Sequence, residues 1–209
     1  MNCYVFFGIQ GSGKGTQAEL LSKELSYQHI NIGDLFRTQV ALQTTLGTKV
    51  AEIMRKGELV PDELVFELVR SSLRPGCEGI VYDGFPRTIK QAEYLVEHFQ
   101  VMRVFFLELS EETAISRISS RRVCVACGAN YNLVTNRPEI EGKCDVCSGE
   151  LTIRNDDRPE AISKRLKEFY DQTIVLQDFF AKHDLLSTID ASGEVDEIFG
   201  QILDVISQY

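Results

Sequence analysis

The sequence contains no tryptophan, few prolines and histidines, and no apolar run long enough to cross a membrane. It also lacks an excess of positive charge, because 22 lysines and arginines stand against 31 aspartates and glutamates, giving a formal net charge of −9. So acidic a chain gains little from the counterion release that drives nucleic-acid binding, and a nucleic-acid reader is therefore disfavoured. If the protein handles phosphates, it must do so in a local basic pocket.

We expect no secretory signal. The amino terminus has a short apolar run with no basic residue before it and a glycine cluster directly after it, which is typical of a buried strand. The expected location is the cytoplasm, where thiols stay reduced. The six cysteines then indicate metal binding or isolated thiols and not disulfides.

Apolar runs of strand length alternate with helical patterns along the chain. The predicted strands are residues 2–8, 27–30, 79–82, 101–109 and 185–190. The predicted helices are residues 16–25, 33–43, 48–56, 62–73, 88–99, 111–121, 159–183 and 195–207. Because strands that alternate with helices form βαβ crossovers, the pattern predicts an α/β fold with a parallel five-stranded sheet flanked by helices. Residues 124–154 break the alternation and are predicted to form a small inserted subdomain of short strands.

The clearest motif is a glycine-rich loop between the first strand and the first helix, from Gly8 to Thr16. It has the spacing G-x-x-x-x-G-K in the strand–loop–helix context that a phosphate-binding loop requires. Its glycines allow backbone N–H groups to approach phosphate oxygens, and Lys14 can reach the β- and γ-phosphates. Thr16, which can assist with Mg²⁺, is separated from Lys14 by Gly15, whereas the usual motif has serine or threonine directly after the lysine.

Four cysteines form two CxxC pairs separated by 16 residues: Cys124 with Cys127, and Cys144 with Cys147. This spacing predicts a tetrahedral zinc site in which each pair supplies two thiolates. Four thiolates leave no open coordination position, so the zinc is expected to be structural. Zinc ribbons also occur in nucleic-acid readers, so a zinc module fused to a phosphate-loop switch is an alternative class, which the negative charge disfavours.

Several segments together resemble the adenylate kinases. The GKGTQ sequence of residues 13–17 resembles the phosphate loop of that family, and residues 29–37, 57–63 and 83–88 resemble its acceptor-site segments in the same order. Charged residues on both sides of the cysteine segment resemble the lid and hinge positions of the family: Arg117, Arg121, Arg154, Asp156, Asp157 and Arg165. The matches span nearly the whole chain.

The resemblance implies a P-loop kinase fold with a helical acceptor-binding insert and a small zinc-ribbon lid. The implied core is residues 1–29, 60–120 and 158–209, the AMP-binding domain is residues 30–59, and the lid is residues 121–157. The implied activity is reversible phosphoryl transfer from MgATP to AMP, giving two ADP. Partners are expected to be these nucleotides and neither nucleic acid nor membrane, and the protein is expected to be a monomer because both small domains must move.

The resemblance also implies the site residues. Those implied for ATP are Gly11, Ser12, Gly13, Lys14, Gly15, Thr16, Arg117, Arg121, Asn130, Tyr131 and Gly193. Those implied for AMP are Ile32, Arg37, Glu58, Leu59, Val60, Gly84, Phe85, Pro86, Arg87, Gln91, Arg154 and Arg165. Those implied to act in the transfer are Lys14, Arg87, Arg121, Arg154 and Arg165. Arginine suits these roles because its planar fork binds two phosphate oxygens at once.

Asp83 ends a predicted strand, where ligands bind in open α/β sheets, and is expected to hold Mg²⁺ through water. Arg117 and Arg121 are expected to share one helical face. Two positions depart from the family pattern: Gln10 stands where proline is usual, and Ile32 stands where threonine is usual. Because the second departure removes a hydroxyl close to the acceptor base, UMP, CMP or GMP stays open as an alternative acceptor.

Overall fold

The computed structural model describes residues 1–208, with the backbone alone for Asn155. Its main strands are β1 (Asn2–Gly8), β2 (Gln28–Asn31), β3 (Gly79–Asp83), β4 (Gln100–Glu108) and, after three short strands named below, β8 (Leu186–Asp190). They form a parallel sheet in the order β2-β3-β1-β4-β8. The predicted five-stranded parallel sheet is therefore confirmed.

Helices connect these strands. They are α1 (Lys14–Leu25), α2 (Ile32–Ala41), α3 (Thr45–Lys56), α4 (Asp62–Ser72), α5 (Ile89–His98), α6 (Glu111–Ser119), α7 (Pro159–Glu168), α8 (Leu176–Lys182) and α9 (Val195–Ile206). The helix predicted over residues 159–183 is interrupted by a π-helical turn, Phe169–Thr173, between α7 and α8. Within residues 1–208, no helix combines the length and the apolar character that a bilayer span requires.

The central strand β1 is buried on both faces, which explains its uninterrupted apolar sequence. Val5 and Phe7 point into the larger hydrophobic cluster, which also contains Leu95 of α5 and Phe180 of α8. Phe6, which lies between them, points into the second cluster with residues of α1 and α9. The period of two along the strand therefore sends alternate side chains into cores on opposite faces of the sheet.

The predicted inserted subdomain is present as a three-stranded antiparallel sheet. Its strands are β5 (Arg121–Cys124), β6 (Asn130–Asn132) and β7 (Leu151–Thr152), in the order β6-β5-β7. The sheet packs a very small apolar cluster around Tyr131, Cys124 and Cys144. A cluster of this size supplies little folding free energy.

The predicted helix over residues 111–121 is two residues too long. Helix α6 ends at Ser119, and Arg121 begins strand β5. Near the end of the helix, Nδ2 of Asn132 donates to the carbonyl oxygen of Arg117, and the backbone of Arg121 pairs with that of Asn132 in β6. The prediction that Arg117 and Arg121 share one helical face was therefore wrong.

Candidate active site

A cleft of about 1200 Å³ opens between the carboxyl end of the parallel sheet, helices α2 and α3, and the three-stranded insert. It is larger than a pocket for one drug-sized ligand, which rarely exceeds about 1000 Å³. The cleft brings together nearly every residue singled out in the sequence: Gly11 to Thr16, Ile32, Arg37, Glu58 to Val60, Asp83, Gly84, Arg87, Gln91, Arg117, Arg121, Asn130, Tyr131, Arg154, Arg165 and Gly193.

Two predicted residues lie elsewhere. Phe85 is fully buried and packs edge-on against Tyr82, with the ring centroids 5.3 Å apart. Pro86 lines a separate small cavity, shared with Lys14 and Arg87. Phe85 therefore has a core position, where it supports the loop that carries Arg87.

The glycine loop presents backbone groups to the cleft. Gly13 is the N-cap of α1 with φ of 88°, a left-handed conformation that glycine adopts without strain. No side chain caps this helix, so the N–H groups of its first turn are not used by a cap. A helix N-terminus that presents such N–H groups is a binding site for phosphate.

Lys14, at the first position of α1, reaches back across the loop. Its Nζ donates to the carbonyl oxygen of Ile9 at 3.1 Å. Burial lowers the pKa of Lys14 to about 7, although the nearby carboxylate of Asp83 acts in the opposite direction. Among residues 1–208 no carboxylate forms an ion pair with Lys14, and phosphate oxygens would supply such a partner.

Asp83, at the end of β3, is almost fully buried against the glycine loop. Its Oδ2 accepts a hydrogen bond from Nδ2 of Asn31 at 2.5 Å. A Cβ atom at residue 15 would lie 3.0 Å from the same oxygen. Glycine at residue 15 avoids this tight contact with the Asp83 carboxylate.

Two carboxylates at the base of the insert organise the arginines. Asp157 accepts two hydrogen bonds from Arg121, at 2.8 and 2.5 Å, and a third from Arg165 at 3.0 Å. Asp156 contacts Arg37 and Arg165, each at 3.3 Å. Burial alone would raise the pKa of Asp156, but the arginines around it hold that pKa below its ordinary value.

Arginines that line the cleft lie close enough to one another for their positive charges to interact. Burial, reinforced by the positive charge of Arg165, lowers the pKa of Arg87 to about 10. Burial and Arg37 lower the pKa of Arg154 to about 10 in the same way. Several partly buried cations that face one open volume repel each other and are stabilised by a polyanion.

Arg117 lines the cleft but points at the loop after β8. It donates to the carbonyl oxygens of Ala191 and Ser192, at 2.9 and 3.3 Å. Arg154 also has a protein partner, since it donates to Oδ1 of Asn130 at 2.5 Å. Both arginines therefore already hold backbone or side-chain groups at the rim of the cleft.

The four predicted zinc ligands converge. Their sulfur atoms all lie within 4.8 Å of one another, and two pairs, Cys124 with Cys147 and Cys127 with Cys144, are 3.5 Å apart. Zn–S bonds of about 2.3 Å in a tetrahedron place the sulfurs about 3.8 Å apart, so the donor set fits zinc. The Tyr131 hydroxyl accepts from the backbone N–H of Asp145 at 2.8 Å and donates to Cys144, whose pKa it lowers to about 6.

Two residues that matter for the cleft were missed in the sequence. Asn31 links helix α2 to Asp83, and Asp62 holds Gln91 through a hydrogen bond of 2.6 Å. Both lie in segments that resemble the acceptor site of the family, but that resemblance assigned neither residue a role. The local signal for Asn31 was its position as a helix N-cap residue directly after a strand. For Asp62 the local signal was a carboxylate in the first turn of a helix, which is common in any protein.

The parallel sheet, the glycine loop and the cation-lined cleft define a P-loop nucleoside monophosphate kinase. A family model described as adenylate kinase matches residues 6–185. The chain belongs to the adenylate kinase family.

Proteins named adenylate kinase match this chain over nearly its whole length. The one from Thermosipho melanesiensis is 42% identical over 97% of this chain and 98% of its own length. The one from Carboxydothermus hydrogenoformans is 43% identical over 98% of this chain and 99% of its own. The one from Thermosipho africanus is 40% identical over 97% of this chain and 98% of its own length.

Proposed function

We propose that the chain catalyses the reversible transfer of the γ-phosphoryl group of MgATP to the phosphate of AMP, which gives two ADP. The observation that carries this proposal is the single cleft in which Lys14, Arg87, Arg121 and Arg165 surround one open volume. Such a cluster of cations suits the transfer of a phosphoryl group between two polyanions. Family membership and the names of the relatives agree with the reaction.

The donor side is formed by the glycine loop. The N–H groups at the start of α1 and Lys14 bind the β- and γ-phosphates, whose oxygens favour the ammonium form of Lys14. Arg121, oriented by its two hydrogen bonds to Asp157, neutralises charge on the same phosphates. Arg117 shapes the ATP site through the loop that contains Ser192.

The acceptor side is formed by α2, the end of α3 and the loop after β3. Arg37 and Arg87 hold the AMP phosphate, and Gln91 faces the base. Gly57 ends α3 in a left-handed conformation with φ of 75°, which turns Glu58 to Val60 towards the cleft. Arg154 and Arg165 span the gap between the two phosphates.

In the transfer, an oxygen of the AMP phosphate attacks the γ-phosphorus of ATP in line. The bond from that phosphorus to the β,γ-bridging oxygen breaks, and ADP leaves with the electron pair. No side chain needs to give or take a proton, so the protein acts by positioning the two nucleotides and by stabilising charge on the transferring group.

Adenylate kinases use Mg²⁺ with ATP, and Asp83 is the residue of this chain that fits it. Its carboxylate is buried at the carboxyl end of the sheet beside the glycine loop, and carboxylates hold Mg²⁺ directly or through water. Mg²⁺ held at this carboxylate would supply neutralisation of phosphate charge. Asn31 orients the carboxylate that would hold it.

Zinc is proposed as a structural ion. The four cysteine sulfurs fill a tetrahedron, and the insert has too small an apolar core to fold well alone. We propose the domain division predicted from the sequence, with residues 30–59 and 121–157 closing over the remaining core. The cytoplasmic location and the monomeric state stay predictions from the sequence.

The test is an acceptor panel. ADP formation from MgATP is measured with AMP, UMP, CMP and GMP in turn, and a compound that joins two adenosines through five phosphates is added as inhibitor. We expect the highest kcat/KM with AMP and strong inhibition, since the compound fills both sites. A higher kcat/KM with another monophosphate would overturn the assignment of the acceptor.

A further inference from the structure

The side-chain amide of Gln91 is held at both ends. Gln91 lies in the first turn of α5, is 2% exposed and forms part of the cleft wall. Its Oε1 accepts from the backbone N–H of Arg87 at 2.8 Å. Its Nε2 donates to Oδ1 of Asp62 at 2.6 Å.

These two partners leave the amide only one orientation. A backbone N–H can only donate, and a carboxylate oxygen accepts, so a rotation of the amide by half a turn would face donor with donor and acceptor with acceptor. Burial makes such a mismatch costly. A glutamine amide without such partners can turn over, but here Asp62 and Arg87 together fix which end is oxygen.

Asp62 is itself held in place. The hydroxyl of Thr88 donates to the same Oδ1 at 3.0 Å and accepts from the backbone N–H of Gln91 at 3.2 Å. Asp62 is also the first residue of α4, where the helix dipole favours a carboxylate. Among the described residues, Gln91 lines the cleft, whereas its hydrogen-bond partner Asp62 does not.

The fixed amide keeps a defined hydrogen-bonding pattern for a ligand. Oε1 has a second lone pair and Nε2 has a second hydrogen, so the amide offers an acceptor beside a donor. The 6-amino group and N1 on the Watson–Crick edge of adenine present the complementary donor and acceptor. A 6-oxopurine presents the reverse order, with an acceptor at position 6 and an N–H at N1.

We propose that Asp62 is a positioning residue that makes the acceptor site select 6-aminopurine over 6-oxopurine monophosphates, because it fixes the amide of Gln91. The inference rests on the proposed function, in which Gln91 faces the acceptor base. Without Asp62, only the backbone N–H of Arg87 disfavours the flipped orientation of the Gln91 amide. In that flipped orientation the amide matches the hydrogen-bonding pattern of a 6-oxopurine.

The test compares kcat/KM for AMP and for IMP, with MgATP as donor, in the wild type, Asp62→Ala and Asp62→Asn. We expect Asp62→Ala to lower the AMP-to-IMP ratio by about tenfold or more, since a hydrogen bond to a charged group contributes about that factor. Asp62→Asn retains an oxygen that can accept from Nε2 and should recover most of the ratio. Should Asp62→Ala fail to fold, Asp62→Ser keeps a polar side chain in the first turn of α4 and carries the same expectation.

Glu63→Ala is the matched control, because Glu63 lies beside Asp62 in the same turn but pairs with Lys90 at the surface. It should leave the ratio unchanged. In a Gln91→Ala background, Asp62→Ala should change the ratio no further. An unchanged ratio in folded Asp62→Ala, or an equal fall for both acceptors, overturns the role of Asp62. A wild-type enzyme that forms no ADP from AMP would instead overturn the proposed function.

Discussion

The side chain of Asn31 donates a hydrogen bond to the carboxylate of Asp83 at 2.5 Å. The same side chain accepts from the backbone N–H of Asp34 at 2.9 Å and so caps helix α2. One residue therefore joins the helix that carries Arg37, on the acceptor side, to the carboxylate that fits Mg²⁺, on the donor side. The two hydrogen bonds use opposite ends of one amide and can be removed separately.

Asn31→Ser should weaken activation by Mg²⁺. Serine still caps α2, but its shorter side chain no longer reaches Asp83, so the carboxylate loses the partner that orients it. We expect the half-maximal Mg²⁺ concentration for ADP formation to rise several-fold with little change in melting temperature. Asn31→Ala, which also removes the cap, should in addition lose about 1 kcal/mol of stability. Identical Mg²⁺ titrations for wild type and Asn31→Ser would contradict this role of Asn31.

Binding of ATP should take up a proton at Lys14. Burial lowers the pKa of this lysine to about 7, so at about pH 8.5 it is mostly neutral in the free enzyme. Phosphate oxygens favour the charged form and raise the pKa, so binding adds a proton. Calorimetry in two buffers with different heats of ionisation should show greater proton uptake in the wild type than in Lys14→Met. Equal uptake would mean that Lys14 is already charged before ATP binds.

Removal of zinc should destabilise the insert without abolishing catalysis. Its apolar cluster is confined to a few residues around Tyr131, so metal binding supplies much of its folding free energy. After treatment with a zinc chelator and return of Mg²⁺, we expect a lower melting temperature and a partial loss of turnover at low temperature. The parallel sheet has its own core and should survive. Complete loss of turnover in a still-ordered protein would make the zinc catalytic.

Ile32→Thr should sharpen the preference for AMP. Ile32 begins α2, lines the cleft and is 4% exposed, so a threonine hydroxyl there could hydrogen-bond near the acceptor base. We expect kcat/KM for AMP to rise relative to that for UMP, CMP and GMP. Ile32→Val, which shortens the side chain without a hydroxyl, is the control and should not sharpen the preference. Unchanged ratios across the four acceptors in Ile32→Thr would refute this prediction.

Much of this architecture could be predicted from the sequence, because strand β1, the glycine loop and the cysteine pairs are local patterns with a physical cause. The start of β5 at Arg121 could not be predicted from the sequence. It is defined by the antiparallel pairing of Arg121 with Asn132, two residues that the intervening chain brings together by reversing its direction. The contact of Asp62 with Gln91 spans 29 residues, and that of Asn31 with Asp83 spans 52. Contacts of this kind depend on tertiary packing, which leaves no periodic signal in the sequence.

The rate of ADP formation from MgATP and AMP, compared between the wild type and Arg87→Ala, tests the central claim most directly. Arg87 is half-buried and lines the cleft, and its loss should lower kcat by about 100- to 1000-fold, as loss of one transition-state donor does. Arg55→Ala is the matched control, since Arg55 is exposed on α3 and pairs with Glu52. The account predicts a fast wild type, an equally fast Arg55→Ala and a folded but nearly inactive Arg87→Ala. No ADP above the uncatalysed background with folded wild-type protein, or an Arg87→Ala variant that retains more than about a tenth of wild-type turnover, would contradict it.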